Sequence, residues 1–281
     1  MPATLNEDDV ARFGRDGILF PIRVYDDDEI GAKMGMLEAL EAKRAGRLPP
    51  AMNAKPHLLV PWLWDMVHDP RIVDRVQDLL GPDLLCWGTS FISKYGADAR
   101  YVAWHQDATY WGLTSPEAVT AWIAFTPSTR ENGCVRVVPG THRLAVAHTD
   151  GNDPDNLLGR GEKMVDDVDD NAAVDVVLAP GEMSLHHALI VHGSEPNTSG
   201  LRRTGFAIRY IPGHVGQVAG ARNSATLVRG ENRGGFDLEQ APEAAFHPDA
   251  MARHGKILRN AMAIIFKGKK AAQRADLPPQ D

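Results

Sequence analysis

The sequence predicts a mainly β protein, a β-sandwich or jelly roll, with helices packed against one outer face. Three observations predict it. Helical spacing of apolar residues is confined to the two ends of the chain, before Gly81 and after about Pro248. Between them, short β-like runs recur. The breaks between those runs carry turn pairs such as Asn132-Gly133, Pro139-Gly140 and Pro180-Gly181. Many short strands separated by such turns are the mark of sandwiches and jelly rolls.

The elements follow in order. Asn6 is placed to cap a helix carrying Val10 and Phe13, which stops near Gly17. Ile18-Leu19-Phe20 reads as a short strand. Ile30, Met34, Leu37 and Leu40 stand at helical spacing over 26–45, with Gly46 as a stop. Asp69-Pro70 is a cap followed by proline in the first turn, and the helix it opens carries Ile72, Val76 and Leu79-Leu80 to Gly81. The β-like runs are 84–87, 90–95, 118–125, 134–138, 174–178, 183–185, 189–192 and 205–211. Two stretches interrupt them, 149–172 (rich in Asp, Asn and Gly) and 213–243 (rich in Gly, Arg and Asn). Both read as long loops, a solvated loop or active-site lid in the first case, and loops of this length are usually functional or disordered. From Pro248 the chain reads as a helix and then a basic, frayed tail at Lys267-Gly268-Lys269-Lys270. Residues 1–281 are expected to form a single domain, with a mostly helical part at 1–80, a jelly-roll core at 82–212, and a loop and C-terminal helix at 213–281.

Composition narrows the function. The chain has 281 residues, 43% hydrophobic and 24% charged, which suits a soluble protein with a sizeable core. A net charge of −7 argues against a nucleic-acid partner, which needs a clustered basic face. The two cysteines, Cys86 and Cys134, make neither a disulfide framework nor a cysteine-built zinc site, so a reducing cytoplasm is expected. The N-terminus lacks the basic then apolar pattern of a signal peptide, and no apolar run approaches the roughly 18 residues of a membrane span.

The informative stretch is Trp104-His105-Gln106-Asp107. On a strand, alternate side chains share a face, so His105 and Asp107 can reach one metal together. His192, on a later β-like run, is the candidate for a second imidazole. Two histidines and one carboxylate on one face of an octahedron leave positions open for a bidentate 2-oxo acid and O2, the arrangement of non-haem iron(II) oxygenases. A zinc site would more often be tetrahedral with one open position. A bare His-x-Asp is common by chance; its place in a β-rich region, with a distant second histidine, gives it weight. A 2-oxo diacid also needs an anchor for its far carboxylate. The planar fork of arginine suits that task, and Arg202 and Arg203 follow His192 by ten and eleven residues, with one of the two expected to face inward.

Taken together, these residues resemble the phytanoyl-CoA dioxygenase family of iron(II)/2-oxoglutarate oxygenases. The matching pieces are His-Gln-Asp-Ala-Thr-Tyr (105–110), Ala-Trp-Ile-Ala-Phe (121–125), Glu-Asn-Gly-Cys-Val-Arg-Val-Val-Pro-Gly-Thr-His (131–142), Pro-Gly-Glu-Met (180–183), and His-Gly-Ser-Glu-Pro-Asn with the following Arg-Arg (192–203). Their order and spacing agree over about 85–212. The resemblance implies a double-stranded β-helix, the cupin-like form of the jelly roll. It implies Fe(II) as metal, with 2-oxoglutarate and O2 as co-substrates. The family's iron ligands fall on His105, Asp107 and His192, its 2-oxoglutarate arginine on Arg203 with Arg202 as the fallback, and its tryptophan beside the co-substrate on Trp122. Halogenases related to the family replace the carboxylate ligand with a small residue, so Asp107 disfavours halogenation.

The implied reaction is hydroxylation of an unactivated C–H bond of a small molecule, with release of succinate and CO2. Desaturation, cyclisation or C–heteroatom cleavage on the same site is the alternative. A non-catalytic cupin-like metal-binding module and a zinc hydrolase are readings of a different kind. Trp104, Tyr110 and Trp111 stand close enough to the metal motif to line a substrate pocket, core packing being the other reading. His187 is a candidate to face the same cavity, a supporting or surface role being the other reading; His142 reads as structural, and Arg229 and Arg233 offer charges to an anionic substrate.

Overall fold

The computed structural model describes residues 4–43, 46–151, 153–158, 161–165, 168–218 and 223–275, with the side chains of Tyr110 and of 263–275 outside the description. Helix α1 (Glu7–Asp16) starts where the Asn6 side chain accepts the Asp9 N–H, and stops at Gly17 in the left-handed region. Strand β1 (Ile18–Arg23) follows; it lies at a sheet edge, where Pro21 removes no ladder bond from a central strand. Helix α2 (Asp27–Ala42) opens on a reciprocal capping box between Asp26 and Glu29. Helix α3 (Pro61–Val67) is an element the sequence pattern conceals, because 58–67 is apolar almost throughout and shows no period. Helix α4 (Pro70–Leu80) begins at the Asp69 cap as expected.

The strands are β2 (Leu84–Lys94), β3 (Val102–His105), β4 (Val119–Ala124), β5 (Val135–Val138), β6 (His148–Thr149), β7 (Lys163–Met164), β8 (Val174–Val176), β9 (Glu182–His187), β10 (Val191–Ser194), β11 (Arg203–Pro212), β12 (Ser224–Arg229) and β13 (Asp237–Leu238). One large sheet runs β1-β9-β4-β11-β2-β12-β13 and a smaller one β3-β10-β5-β8. Two sheets of this kind, antiparallel except where β13 runs parallel to β12, with a cavity between them, make the jelly roll. Helix α5 (Pro248–Ala275) closes the chain.

The large sheet sorts its side chains by parity. Val119, Ala121, Ile123, Phe206, Ile208, Tyr210, Met183 and Leu185 form one core with Ile30, Leu37, Leu63, Val73 and Val76 of the helices. Burying each such aliphatic side chain contributes about 1.5–3 kcal/mol, so this face holds the helices in place. The alternate residues, among them Trp122, Ala124 and Ala207, face the small sheet.

Three expectations are corrected. The runs 84–87 and 90–95 are one strand, because Gly88 continues β2 and pairs with Arg209 instead of turning. The stretch 213–243 is not all loop: β12 extends the large sheet alongside β2. It is fastened by the buried Glu239 carboxylate, which receives Lys55 Nζ at 2.5 Å and the Ser224 and Thr226 hydroxyls at 2.7 Å. Helix α5 also runs on through the basic stretch 267–270. Among the described residues, no helix is long and apolar enough to cross a membrane. Cys86 and Cys134 are both unpaired and buried.

Candidate active site

The site lies between the sheets. Strands β3 and β10 pair antiparallel with His105 opposite His192, which brings together two residues far apart in sequence. Their rings lie 4.1 Å apart, centroid to centroid. Each Nδ1 hydrogen-bonds a carbonyl two residues earlier, His105 to Ala103 at 2.9 Å and His192 to Ile190 at 3.0 Å. That fixes both rings and leaves each Nε2 available to a metal.

Asp107 arrives by a different route from the one the strand pattern gives. β3 ends at His105; Gln106 is extended, and Asp107 begins a single 3₁₀ turn, Asp107–Tyr110. One extended residue is enough to return Asp107 to the side of His105, with Oδ1 3.4 Å from His105 Nε2. His105, Asp107 and His192 each present a ligand atom within 4.8 Å of the others, a group able to hold a metal ion. Two imidazoles and a carboxylate match a borderline divalent metal with positions left open.

The charges around this group are arranged for it. Burial alone would raise the Asp107 carboxyl, but the Arg209 guanidinium, with Nε 3.6 Å from Oδ2, and the two neighbouring imidazoles hold it far below the usual carboxylate range. Burial, reinforced by His105, pushes His192 down to about 3, so its imidazole is neutral at physiological pH, the form able to take a metal. Gln106, between His105 and Asp107, is fully buried. Its Nε2 donates to the Leu144 and Leu189 carbonyls at 2.8 and 2.6 Å, and its Oε1 accepts the Val146 N–H at 2.9 Å. It therefore ties the metal motif to the chain before and after it.

A cavity of about 90 Å³ runs inward from these residues past Thr120, Trp122, His186 and Arg203. Arg203 is 1% exposed and makes no ion pair among the described residues. Its Nε donates to Gly133 O at 3.1 Å and its Nη2 to Ser194 Oγ at 3.3 Å, while Nη1 has no partner among the described residues. Trp122 lies 5.5 Å under the guanidinium, and its Nε1 is likewise buried and unpartnered, as is Thr120 Oγ1. The Trp122 ring fits there because residue 205 is glycine; a Cβ on Gly205 would stand 1.9 Å from it. Lys94, also fully buried, donates to the Ser194 and Glu195 carbonyls and to Ser194 Oγ. Burial and the neighbouring Arg203 pull its ammonium down to about 7. Unpaired donors buried around a small cavity call for an acceptor-rich guest. A dicarboxylate such as 2-oxoglutarate, one end on the metal and the other on Arg203, fits that donor set.

The remaining sequence candidates sort cleanly. Arg202 points the opposite way from Arg203, making two 2.8 Å bonds to Glu41 of α2 and stacking over Tyr95. Trp104 is on the outer side of the small sheet, 5.6 Å from the Arg136 guanidinium, and does not line the inner cavity. Trp111 stacks on Trp87 at 4.5 Å within a small core, although it also stands 5.8 Å from Arg209. The Tyr110 side chain lies outside the described part. His187 faces Phe13 and His142, and it is His186 that lines the cavity. Arg229 pairs with Asp74, and Arg233 with Asp83 and Glu231, away from the cavity. The stretch 149–172 does reach the site: Leu157 and Leu158 line it. Tyr101 pins that segment, accepting the Leu157 N–H at 2.8 Å, donating its own N–H to Asp155 at 2.9 Å and its hydroxyl to Asp153 at 2.6 Å.

Arg209, His186, Gln106, Lys94 and Thr120 are among the site residues that sequence reasoning missed. For Arg209 a signal was present: 203, 205, 207 and 209 share one face of a strand, so an inward Arg203 implies an inward Arg209.

Residues 15–205 match the family model described as phytanoyl-CoA dioxygenase (PhyH). An ectoine dioxygenase of Bordetella parapertussis is 27% identical over 158 residues, 51% of either chain, so the match spans about half the length of that curated relative. The solved non-haem monooxygenase ThoJ, in its apo form, is 34% identical with a TM-score of 0.82, over 93% of this chain and 99% of that one. CytC3, solved with Fe(II) and alpha-ketoglutarate (2-oxoglutarate), is 27% identical with a TM-score of 0.65, over 87% and 96% of the two chains.

Proposed function

This chain belongs to the phytanoyl-CoA dioxygenase family, and on that premise we propose that it is an Fe(II)- and 2-oxoglutarate-dependent oxygenase that hydroxylates a C–H bond of a small molecule. His105, Asp107 and His192 hold the iron, and Arg203 takes the far carboxylate of 2-oxoglutarate. The observation that carries the reading is the buried Arg203 guanidinium beside the His-Asp-His group, with Nη1 unpartnered. A bare metal-binding module or a zinc hydrolase has no use for such an anchor.

Iron(II) bound there would supply the redox chemistry that couples O2 reduction to oxidation of 2-oxoglutarate to succinate and CO2. The protein's share is positional and electrostatic. The Ala103 and Ile190 carbonyls aim the two imidazoles. Arg209 keeps Asp107 ionised. Trp122, under Arg203, sets the height at which the co-substrate carboxylate lies. Leu157 and Leu158 line the cavity with apolar surface that disfavours water beside the reacting carbon. Desaturation, cyclisation or C–heteroatom cleavage would use the same residues, and product analysis separates them. The two free, buried cysteines accord with a reducing cytoplasm.

The test is anaerobic addition of Fe(II) and 2-oxoglutarate to the metal-free protein, recording the visible spectrum of wild type and His192→Ala. A weak metal-to-ligand charge-transfer band in wild type, absent in the variant, is expected. A folded, iron-loaded wild type with no band would overturn the reading.

A further inference from the structure

We infer that the substrate carries an oxyanion, a carboxylate or phosphate, which Arg47 and Arg100 hold at the outer end of the site; this rests on the oxygenase reading for the direction in which the molecule points. A second cavity, of about 500 Å³, adjoins the inner one and shares Ile92, Leu157, Leu158 and Arg209 with it as common walls. Its volume is in the range of small-molecule sites. Arg47 and Arg100 line the outer cavity alone. Among the described residues its lining thus contains three arginines and no aspartate or glutamate. In a chain with 37 acidic against 30 basic residues, that local excess runs against the overall charge.

The guanidinium groups are held facing the space, and their charge is only partly met. Arg100 is gripped from behind by Asp98, Nε and Nη2 at 2.8 and 2.6 Å, which leaves Nη1 free of that carboxylate. Arg47 lies 5.3 Å from the Tyr95 ring and has no ion pair among the described residues. Arg209 is already engaged by Ser90 Oγ at 2.9 Å and by Asp107, so its role is to form the wall between the two cavities. Two guanidinium groups beyond a wall of Ile92, Leu157 and Leu158 suit a molecule with one anionic end and an apolar body. With its oxyanion on Arg47 and Arg100, the body lies along the shared wall and the far end reaches the inner cavity, beside His105 and Asp107. Arginine is the residue that recognises such groups with paired, directional bonds.

Four probes of equal chain length test this: hexanoate, hexyl phosphate, 1-hexanol and hexylammonium. Each is titrated calorimetrically into protein loaded with Ni(II) and 2-oxoglutarate, so that the inner donors are occupied and no turnover occurs. The proteins are wild type, the double variant Arg47→Gln/Arg100→Gln, and Arg203→Gln. One or both anions should bind wild type at least about tenfold more tightly than the alcohol or the amine. That preference should fall about tenfold or more in the double variant and weaken with added salt, as expected for partly exposed charge-assisted bonds. The ratio of hexanoate to hexyl phosphate identifies the oxyanion. Equal binding of hexanol, no measurable binding of either anion, or anion affinity unchanged in the double variant would overturn the inference. So would affinity lost only in Arg203→Gln, which would place the anion in the co-substrate cavity. Both substituted side chains are at the surface, so matching melting curves establish that the double variant is folded. If the charge-transfer band is absent while anions still bind through Arg47 and Arg100, the oxygenase reading falls and the anion site stands. A band without anion preference gives the reverse.

Discussion

Replacing Arg203 with glutamine should weaken 2-oxoglutarate binding by two to three orders of magnitude without destabilising the protein. The guanidinium makes two bonds to the protein, to Gly133 O and Ser194 Oγ, the second at 3.3 Å, and keeps Nη1 unpaired. Bonds between a buried guanidinium and a carboxylate are charge-assisted and contribute about 1.5–3 kcal/mol each; with Nη2 shared with Ser194, a paired contact amounts to roughly 3–4 kcal/mol. At about 1.4 kcal/mol per factor of ten, the dissociation constant should rise roughly 100- to 1000-fold. Stability should move the other way or stay still. Burial depresses this guanidinium to about 10, a sign that the interior disfavours its charge, and glutamine removes the charge while keeping a donor for Gly133. The assay is an anaerobic titration of the charge-transfer band with 2-oxoglutarate, beside urea denaturation of the metal-free protein. Arg202→Gln is the control. It breaks the bidentate pair with Glu41 on the opposite face, so it should cost about 1–3 kcal/mol of stability and leave co-substrate affinity within about twofold. Unchanged affinity in Arg203→Gln, with a stability loss of several kcal/mol, would show Arg203 to be a structural tie and refute the reasoning.

Gly205→Ala should cost about 1–3 kcal/mol and weaken co-substrate binding, because the new Cβ would stand 1.9 Å from the buried Trp122 ring and force it from under Arg203; tryptophan fluorescence and the same titration check this. Glu239→Gln should cost about 3–5 kcal/mol in urea denaturation while leaving the charge-transfer band intact, because it leaves the Lys55 ammonium without its carboxylate, in a network remote from the metal residues. Stability of the metal-free protein should fall as pH drops from about 6.5 to about 4. Burial lowers His186 and His187 to about 4 in the folded chain. In the unfolded chain each is protonated near the ordinary 6.5, so between those values the unfolded state binds more protons and gains about 1.4 kcal/mol per group per pH unit. A melting temperature flat across that window would contradict both burials.

The parts of the site legible in the sequence are those set by short-range geometry. His105 and Asp107 are two residues apart, and one extended residue between them suffices to bring them together, even though the strand ends earlier than the pattern suggests. The parity of 119–125 separates Trp122 from its apolar neighbours, and the structure turns it inward. Arg202 and Arg203 could not be told apart by composition, because which one faces inward depends on the register of β11 against β4 and β2. His186 and His187 pose the same problem, and only the pairing of β9 with β4 settles it. Gln106 went unread because its bonds run to Leu144, Val146 and Leu189, which are brought to it by the fold. Helix α3 and strand β12 were hidden for opposite reasons, the first in a uniformly apolar run and the second among glycines, arginines and asparagines that resemble loop.

The buried cations separate what the fold needs from what the site needs. Arg136 is as buried as many core residues, but it is met by Asp170 at 2.9 Å and Asp175 at 3.0 Å, so its charge is neutralised within the protein. Lys55 is met by Glu239. Arg203 and Lys94 differ: both lie in the interior, both draw on Ser194 Oγ, and among the described residues neither has a carboxylate partner. Two unmatched cations in one interior oppose folding unless something else offsets them. Lys94 is at least saturated by carbonyl and hydroxyl oxygens, whereas Arg203 Nη1 has no acceptor among the described residues. A scaffold selected for stability alone would place an acid there or dispense with the arginine. The absent counter-charge is therefore best understood as the guest's, an anion that enters beside the His-Asp-His group and completes the interior only when the site is loaded.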